Sequence, residues 1–332
     1  MSDDLMNEIA AAKDKSSIIM VVGVGGAGGN AVNHMWNLGI KDVGFMVCNT
    51  DAQALDNSPV EEKVQLGREG LGAGNDPENG RKAAIESLDD IRRRLEAAGT
   101  RMLFVTAGMG GGTGTGASPV IAKLAHEMGI LTVGIVTSPL AVEGKIRYEQ
   151  AFRGIEELSR NVDSLLVINN ENIVEMYGRL SLKQAFGKAD DILASAAKGI
   201  AEIITVESAM VNVDFADVSK VMRDSGRAHL SVATAEGEHR AAEVARASLE
   251  SPLLDHTLIS GAKNILLNLP TSDAASLALD EAMEILKYIQ SHASVPPPAG
   301  TVHDHTNLSG THDNTQTGRS RNPVLVGTAS PS

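Results

Sequence analysis

The chain has 332 residues, of which 42% are hydrophobic, and its formal net charge is −13 at pH 7. This length and apolar content suffice for one large domain or two domains of ordinary size. The acidic charge argues against non-specific binding to nucleic acid, which needs basic patches. The single cysteine, Cys48, excludes an intrachain disulfide framework and indicates a reducing compartment such as the cytoplasm.

Residues 1–15 are polar and of mixed charge, so we expect a flexible N-terminus that is neither a signal peptide nor an anchor. No apolar run reaches the length that spans a bilayer, and we therefore expect no direct membrane insertion.

Short apolar runs typical of buried strands then alternate with helical stretches. The strand-like runs are Ile18–Val24, Val43–Cys48, Met102–Thr106, Leu131–Thr137 and Leu165–Ile168. The helical stretches are Ala27–Leu38, Glu78–Ala98, Ala117–Met128 and Arg147–Arg160. Such alternation is typical of a parallel sheet with helices on both faces. We therefore predict an α/β domain with a parallel, Rossmann-like sheet over residues 16–186.

A long central helix and its connection are expected over residues 187–211, because apolar residues recur there at helical spacing. Alternating helices and strands then predict a second, smaller α/β domain over residues 212–293. From residue 294 to 332 the composition is rich in Pro, Gly, Ser, Thr and Asn, which indicates a largely disordered tail. Within this tail, Thr301–Leu308 and Pro323–Ala329 are the only candidates for strands, and both are poor.

A glycine-rich run at residues 108–116 follows one predicted strand and precedes a helical stretch. Glycine lets the backbone approach a ligand closely, and a helix N-terminus after such a turn favours phosphate. The alternative is a flexible linker, which is seldom flanked so tightly by a strand and a helix. No P-loop motif is present, so charge balance falls to backbone amides, to the hydroxyls of Thr113 and Thr115, and to a bound Mg²⁺.

The first strand also ends in glycines, and Gly23, Gly25 and Gly28 fit the dinucleotide fingerprint G-x-G-x-x-G. With Asp51 placed to hold a ribose, a nicotinamide-dependent oxidoreductase is one alternative. A single dinucleotide does not need two phosphate cradles on different strands, whereas a nucleoside triphosphate held from several loops uses both.

Further polar groups follow successive strands, where ligands bind in parallel sheets. Asn49 and the small-residue loop containing Gly74 lie after the second strand; Glu143 and Arg147 follow a later one and suit a ribose hydroxyl and a phosphate. The pair Asp214 and Asp217 begins a helix, and its spacing alone favours an acidic helix cap over a ligand site.

Taken together and in this order, these motifs resemble the FtsZ family of the tubulin/FtsZ GTPase superfamily. The matching segments are GVGGAGGNAV (23–32), CNTDAQAL (48–55), GAG (72–74), AGMGGGTGTGASPV (107–120), ILTVGIVTSP (130–139), EGKIR (143–147), FGKADD (186–191) and NVDFADV (212–218). The GTGTG element is highly specific, and the resemblance covers roughly residues 16–292.

The resemblance implies a GTPase of the division site in the cytoplasm that polymerises head to tail and meets other division-ring proteins. Its cofactors are GTP or GDP and Mg²⁺, held mainly through the phosphates, with no metal site built by the protein. The implied nucleotide-binding residues are Gly25, Gly26, Ala27, Gly28, Asn30, Asn49, Gly74, Gly108, Gly110, Gly111, Gly112, Thr113, Gly114, Thr115, Gly116, Glu143, Arg147, Asn170, Phe186 and Asp191. Among these, Phe186 matches the position that packs on the base.

The resemblance further implies that Asn212, Asp214 and Asp217 form a synergy loop. This loop inserts into the GTP site of the next subunit, where its acids orient the attacking water. The stretch before it, Val206–Val211, is one residue longer than usual and lacks a glycine. That difference motivates an alternative, a catalytically weak structural relative that binds GTP and co-assembles with or caps filaments.

Overall fold

The computed structural model describes residues 17–40, 42–178, 181–205, 215–250, 264–271, 277–292, 302–306 and 323–330. The chain divides into two compact units, Met1–Lys198 and Gly199–Ser332. This division falls inside a long helix, whereas the sequence suggests a boundary after residue 186.

The first unit contains a parallel sheet in the order β3-β2-β1-β4-β5-β6. Its strands are β1 (Ile19–Val24), β2 (Gly44–Asn49), β3 (Glu62–Gln65), β4 (Met102–Gly108), β5 (Leu131–Ser138) and β6 (Ser164–Asn169). The central strand β1 is buried along its whole length, as expected for a strand covered on both faces. In register, Val22 pairs with Met46 on one side and Val105 on the other.

Helices follow the strands of this unit in the predicted alternation. They are α1 (Gly25–Asn37), α2 (Ala52–Asp56), α3 (Pro77–Glu86), α4 (Leu88–Ala97), α5 (Gly112–Glu127), α6 (Lys145–Ser159), α7 (Asn170–Tyr177) and α8 (Leu182–Thr205), with a 3-10 turn at Ala141–Glu143. The core lies where α5 meets the sheet, with Leu103, Val105 and Ile121 fully buried. The sequence thus predicts the α/β class correctly.

Two local predictions in the first unit are wrong. The helix predicted over 78–98 is two helices, α3 and α4, which meet at Ser87; the Ser87 hydroxyl accepts a hydrogen bond from the Gly67 N–H at 3.0 Å. Strand β3 was not expected, because its sequence is polar and only Val64 is buried. An edge strand buries few side chains and therefore leaves a weak apolar pattern.

Helix α5 begins at Gly112 rather than near Ala117, so part of the glycine run is helical. A Cβ on Gly112 would lie 2.8 Å from the Ala73 Cβ, and one on Gly116 would overlap the Pro77 carbonyl oxygen. On the facing helix, a Cβ on Gly80 would lie 2.5 Å from the Gly112 oxygen. These glycines permit close packing of α3 against α5, which corrects the interpretation of the whole run as a phosphate-binding loop.

The second unit contains α9 (Phe215–Met222), β7 (Gly226–Thr234), α10 (Arg240–Leu249), β8 (Asn264–Thr271), α11 (Leu279–His292), β9 (Val302–Thr306) and β10 (Pro323–Ser330). Its strands are ordered β7-β10-β8-β9. Val244, Leu267, Ile285 and Ile289 form its buried core. Across the two helices, Arg240 makes a two-pronged ion pair with Glu281, with both nitrogen–oxygen distances at 2.7 Å.

Two strands lie in the tail that the sequence suggests is largely disordered. Strand β10 runs antiparallel to both β7 and β8, with Leu325 opposite Val232 on one side and Asn268 on the other, and β9 runs parallel to β8. Because β10 pairs along both edges, its backbone N–H and C=O groups form hydrogen bonds that they would make with water in an unstructured tail. Its partners lie far away in sequence, and composition alone does not reveal them. Among the described residues, no helix is long and apolar enough to cross a membrane.

Candidate functional site

A cavity of about 410 Å³ opens in the first unit where β1, β4, β5 and β6 end. Ligands bind at this edge of parallel sheets, and the volume lies in the range of small-molecule sites. Its lining residues are Gly26, Ala27, Asn30, Gly108, Met109, Gly111, Gly112, Thr113, Gly114, Thr137, Pro139, Glu143, Arg147, Asn170, Ala189, Asp190 and Leu193.

Two helix N-termini, those of α1 and α5, meet at this cavity. The residue before each helix, Val24 or Gly111, makes no side-chain capping hydrogen bond, and neither first turn carries an acidic residue. Cβ atoms on Gly26 and Gly111 would meet nothing within 4 Å, so the backbone there is open to a ligand. Uncapped amides and two helix dipoles favour a negatively charged group at this point.

The turn between β4 and α5 is held from several sides. The Met109 N–H donates to the Thr137 carbonyl at 2.9 Å, and the Gly110 N–H donates to Thr115 Oγ1 at 2.8 Å. Gly110 has φ +105°, a conformation that side chains rarely adopt. The Thr113 and Thr50 hydroxyls are hydrogen-bonded at 2.7 Å. The turn is thus preorganised by hydrogen bonds within the chain.

Glu143 and Arg147 form another wall of the cavity. One carboxylate oxygen of Glu143 accepts the Leu140 N–H, and the other pairs with the Arg147 guanidinium, each at 2.9 Å. Arg147 remains 47% exposed, so it retains donors for a further partner. The pair therefore offers fixed carboxylate and guanidinium groups on one side of the cavity.

Asn170 and Asp190 contribute polar groups that the chain itself leaves unused. Asn170 is 8% exposed, and its buried Oδ1 has no hydrogen-bond partner within the described part of the chain. Asp190 is half-buried, and its pKa is raised from 3.8 to about 6; burial is the main cause, His34 opposes it and the neighbouring Asp191 adds to it. A buried acceptor without a donor is costly, which indicates a site built for a ligand.

Eleven of the sequence-predicted binding residues line the cavity: Gly26, Ala27, Asn30, Gly108, Gly111, Gly112, Thr113, Gly114, Glu143, Arg147 and Asn170. Several others serve packing instead. A Cβ on Gly25 would lie 2.8 Å from the Gly114 nitrogen, and one on Gly28 would overlap the Thr106 carbonyl oxygen. Thr115 is buried with its hydroxyl turned to Gly110, and Gly116 packs on Pro77, so neither offers a group to the cavity.

Other predicted positions lie away from the cavity. Asn49 is buried, and its Oδ1 accepts the Asp51 N–H at 3.2 Å; Gly74 belongs to the loop before α3. Asp51 itself caps helix α2 by accepting the Gln53 N–H at 2.9 Å, so its carboxylate has a structural role, not that of a ribose acceptor. This finding weakens the oxidoreductase alternative.

The structure replaces Asp191 by Asp190 as the aspartate that faces the cavity. The Asp191 carboxylate is paired with His34 at 3.0 Å and with Lys188 at 2.8 Å. Neighbouring residues point about 100° apart on a helix, and here that rotation turns the Asp191 side chain toward His34. The sequence also missed Met109, Thr137, Pro139, Ala189 and Leu193, which line the cavity from strand ends and from α8.

Of the predicted catalytic residues, the structure describes Asp217. Asp217 is exposed in the first turn of α9 in the second unit. Asn212 and Asp214 lie outside the described residues, and Phe186 lies in α8 with its side chain outside the description.

The chain is similar to known proteins both in sequence and in fold. The family "Tubulin/FtsZ family, GTPase domain" matches residues 18–178, and "FtsZ family, C-terminal domain" matches residues 226–303. The chain is 49% identical over 288 residues to the cell division protein FtsZ of Porphyromonas gingivalis, covering 86% of this chain and 63% of that protein. It is 46% identical over 307 residues to the Pseudomonas aeruginosa protein of the same name, covering 91% of this chain and 76% of that one.

Solved structures agree with this assignment. A structure titled "FtsZ dimer, empty" from M. jannaschii matches with a TM-score of 0.83 and 35% identity, covering 99% of this chain and 92% of that chain. CetZ2 from Haloferax volcanii matches with a TM-score of 0.73 at 22% identity, which shows a shared fold alone.

Proposed function

Because the chain belongs to the tubulin/FtsZ family of GTPases, we propose that its cavity binds GTP and GDP and hydrolyses GTP. The observation that carries the proposal is the meeting of two uncapped helix N-termini at one cavity, which also contains the buried, unpartnered Oδ1 of Asn170. The alternative of a catalytically weak relative is not favoured, since the curated relatives carry the name of the division protein itself.

The phosphates are held at the N-termini of α1 and α5. Backbone amides around Gly26 and Gly111 donate to them, and the helix dipoles stabilise their charge. The preorganised turn at Gly110 spares these amides from reordering during the reaction, which is how fixed donors stabilise a transition state.

The remaining walls of the cavity bind the ribose and the base of the nucleotide. Glu143 accepts from a ribose hydroxyl while Arg147 reaches a phosphate, and Asn170 supplies its unpartnered Oδ1. Asp190 accepts hydrogen bonds from the guanine edge, and Phe186, by resemblance, packs on the base.

Mg²⁺ fits this site as a companion of the phosphates. In the described parts of the chain, no cluster of three or more histidine, cysteine or carboxylate side chains could hold a metal ion. Mg²⁺ commonly keeps several waters and binds mainly through substrate phosphates. When bound, it would neutralise charge on the phosphates next to the Thr113 hydroxyl.

A second subunit supplies the acids that activate water. The two carboxylates lining the cavity already have other roles, since Glu143 is paired with Arg147 and Asp190 faces the base. By resemblance to the family, the water-orienting role belongs to Asn212, Asp214 and Asp217 of the adjacent molecule. Such a head-to-tail contact uses two different surfaces and builds open filaments, which suits a cytoplasmic division ring with further ring proteins as partners.

The test is the GTPase rate as a function of protein concentration, combined with sedimentation. We expect activity to appear above a critical concentration and to fall at least about 100-fold in Asp217→Ala, whereas GDP affinity stays unchanged. Asp280→Ala is the matched control, since Asp280 is also an exposed acid in the first turn of a second-unit helix. A specific activity independent of concentration would contradict the shared site.

A further inference from the structure

Four charged or titratable side chains meet beside the cavity, three from α8 and one from α1. His34 Nε2 lies 3.0 Å from one Asp191 oxygen, and Lys188 Nζ lies 2.8 Å from the other. Both oxygens of Asp191 are therefore engaged. This arrangement explains why Asp191 does not line the cavity although it lies next to a residue that does.

Asp190 is that neighbour, and its situation is the opposite. It lines the cavity and is half-buried, and within the described part of the chain no group donates a hydrogen bond to its carboxylate. The two adjacent aspartates thus differ in their surroundings. The Asp190 carboxylate is open to a ligand in the cavity, whereas the Asp191 carboxylate is held by His34 and Lys188. Asn170, with its buried and unpartnered Oδ1, independently indicates that a ligand completes this part of the cavity.

We propose that His34 is a positioning residue for base recognition. It holds the Asp191 carboxylate in place, and this leaves Asp190 as the aspartate that accepts hydrogen bonds from the purine. The proposal rests on the proposed guanine-nucleotide function. Guanine presents two adjacent donors, N1–H and the 2-amino group, and one carboxylate accepts both at once. Loss of His34 would leave the charge of Asp191 less compensated and would remove the group that favours the ionised form of Asp190; both changes disfavour the Asp190 carboxylate that accepts from the purine.

The charged groups around Asp190 add a pH dependence. His34 faces it from α1, Asp191 and Lys188 lie on its own helix, and Glu143 and Arg147 face the same cavity. Burial raises the pKa of Asp190 to about 6, and His34 opposes that rise. Asp190 is therefore ionised at pH 7.5. Protonation below pH 6 removes an acceptor, so the preference for guanine falls with it.

The experiment compares the dissociation constants of GDP and IDP, whose base lacks the 2-amino group, by calorimetry at pH 7.5. We expect the wild-type chain to prefer GDP about tenfold and Asp190→Asn to lose that preference. His34→Ala is expected to lose most of the preference for GDP over IDP, because GDP binds about fivefold more weakly whereas IDP binding changes little. His34→Gln, which keeps a donor toward Asp191, is expected to restore at least half of the preference.

His126→Ala is the matched control, because His126 also lies beside an aspartate, Asp163 at 3.7 Å, but does not line the cavity. A wild-type GDP-to-IDP ratio in His34→Ala would overturn the proposal, and so would an equal loss for both nucleotides, which indicates a merely structural role. Equal binding of GDP and IDP by the wild-type chain would also overturn it. If the wild-type chain binds neither nucleotide, the proposed function fails as well.

Between pH 8 and 5, the preference for GDP is expected to fall with a midpoint near pH 6 in the wild-type chain. Asp190→Asn is expected to show a flat profile over the same range. A wild-type preference that stays constant down to pH 5 would contradict the role of the ionised carboxylate.

Discussion

The Thr115 hydroxyl holds the backbone of Gly110, whose N–H donates to Thr115 Oγ1 at 2.8 Å while both residues are buried. The bond closes the turn between β4 and α5 at a position where Gly110 has φ +105°. Thr115 therefore fixes the shape of the turn beside the cavity without lining the cavity itself.

Thr115→Val is expected to leave the buried Gly110 N–H without an acceptor, at a cost of about 1–3 kcal/mol in the free energy of unfolding. GDP affinity is expected to fall as the turn loosens. Thr115→Ser keeps the hydroxyl and serves as the control, with near wild-type GDP affinity. Urea denaturation and calorimetry measure the two effects. Equal GDP affinity in the Val and Ser variants would show that the turn does not depend on this bond.

Gly116→Ala is expected to destabilise the first unit by about 1–3 kcal/mol, because the new Cβ would overlap the Pro77 carbonyl oxygen and force α3 away from α5. Gly29→Ala is the contrasting variant, since its Cβ would meet nothing within 4 Å and helix α1 gains roughly 0.5–1 kcal/mol. Urea unfolding midpoints are expected to move in opposite directions. A neutral Gly116→Ala would refute close helix packing at this point.

Asp190→Asn is expected to stabilise the ligand-free chain at pH 8. The pKa of Asp190 is raised from 3.8 to about 6, so the folded state disfavours its charge. The free-energy cost of ionising Asp190 in the folded state is absent below pH 3.8. It grows as the pH rises from 3.8 to about 6 and is complete above pH 6. The gain at pH 8 is about 1 kcal/mol, since the half-buried carboxylate keeps part of its water. Thermal melts at pH 4 and 8 should show a gain that shrinks at the lower pH; a pH-independent gain would contradict this origin.

Arg240 and Glu281 are expected to stabilise the second unit in a pH-dependent way. Their side chains are 18% and 21% exposed, and the hydrogen bond from Arg240 lowers the pKa of Glu281 from 4.5 to about 2. Because the pKa is lowered, the contribution is full above pH 4.5 and is lost as the pH falls toward 2. Glu281→Gln is expected to cost about 1–2 kcal/mol at pH 7 and progressively less below pH 4.5.

Urea denaturation at pH 7 and pH 3 measures this change. Glu156→Gln is the control, since its pair with Arg160 is exposed and should contribute less than about 0.5 kcal/mol. An effect of Glu281→Gln that does not vary with pH would refute the ion pair as its cause.

The sequence by itself determined the α/β class, the alternation of helices with every strand of the first unit except β3, and the family. It did so because buried parallel strands are continuous apolar runs, as in Ile19–Val24, and because phosphate-binding turns need glycine at fixed places. It also located most of the cavity, since ligand groups follow strand ends.

Only the tertiary structure decided which glycines face the cavity and which pack against another helix. Gly111 is open to the cavity, whereas Gly116 lies against Pro77, although both belong to one run. The tertiary structure likewise decided that Asp190 faces the cavity and Asp191 faces His34. The local sequence does not specify how a helix is rotated against the cavity or which side chain of another helix lies beside it. For the same reason the sequence offered Pro323–Ala329 only as a candidate strand, since β10 is defined by pairing with β7 and β8, far away in sequence.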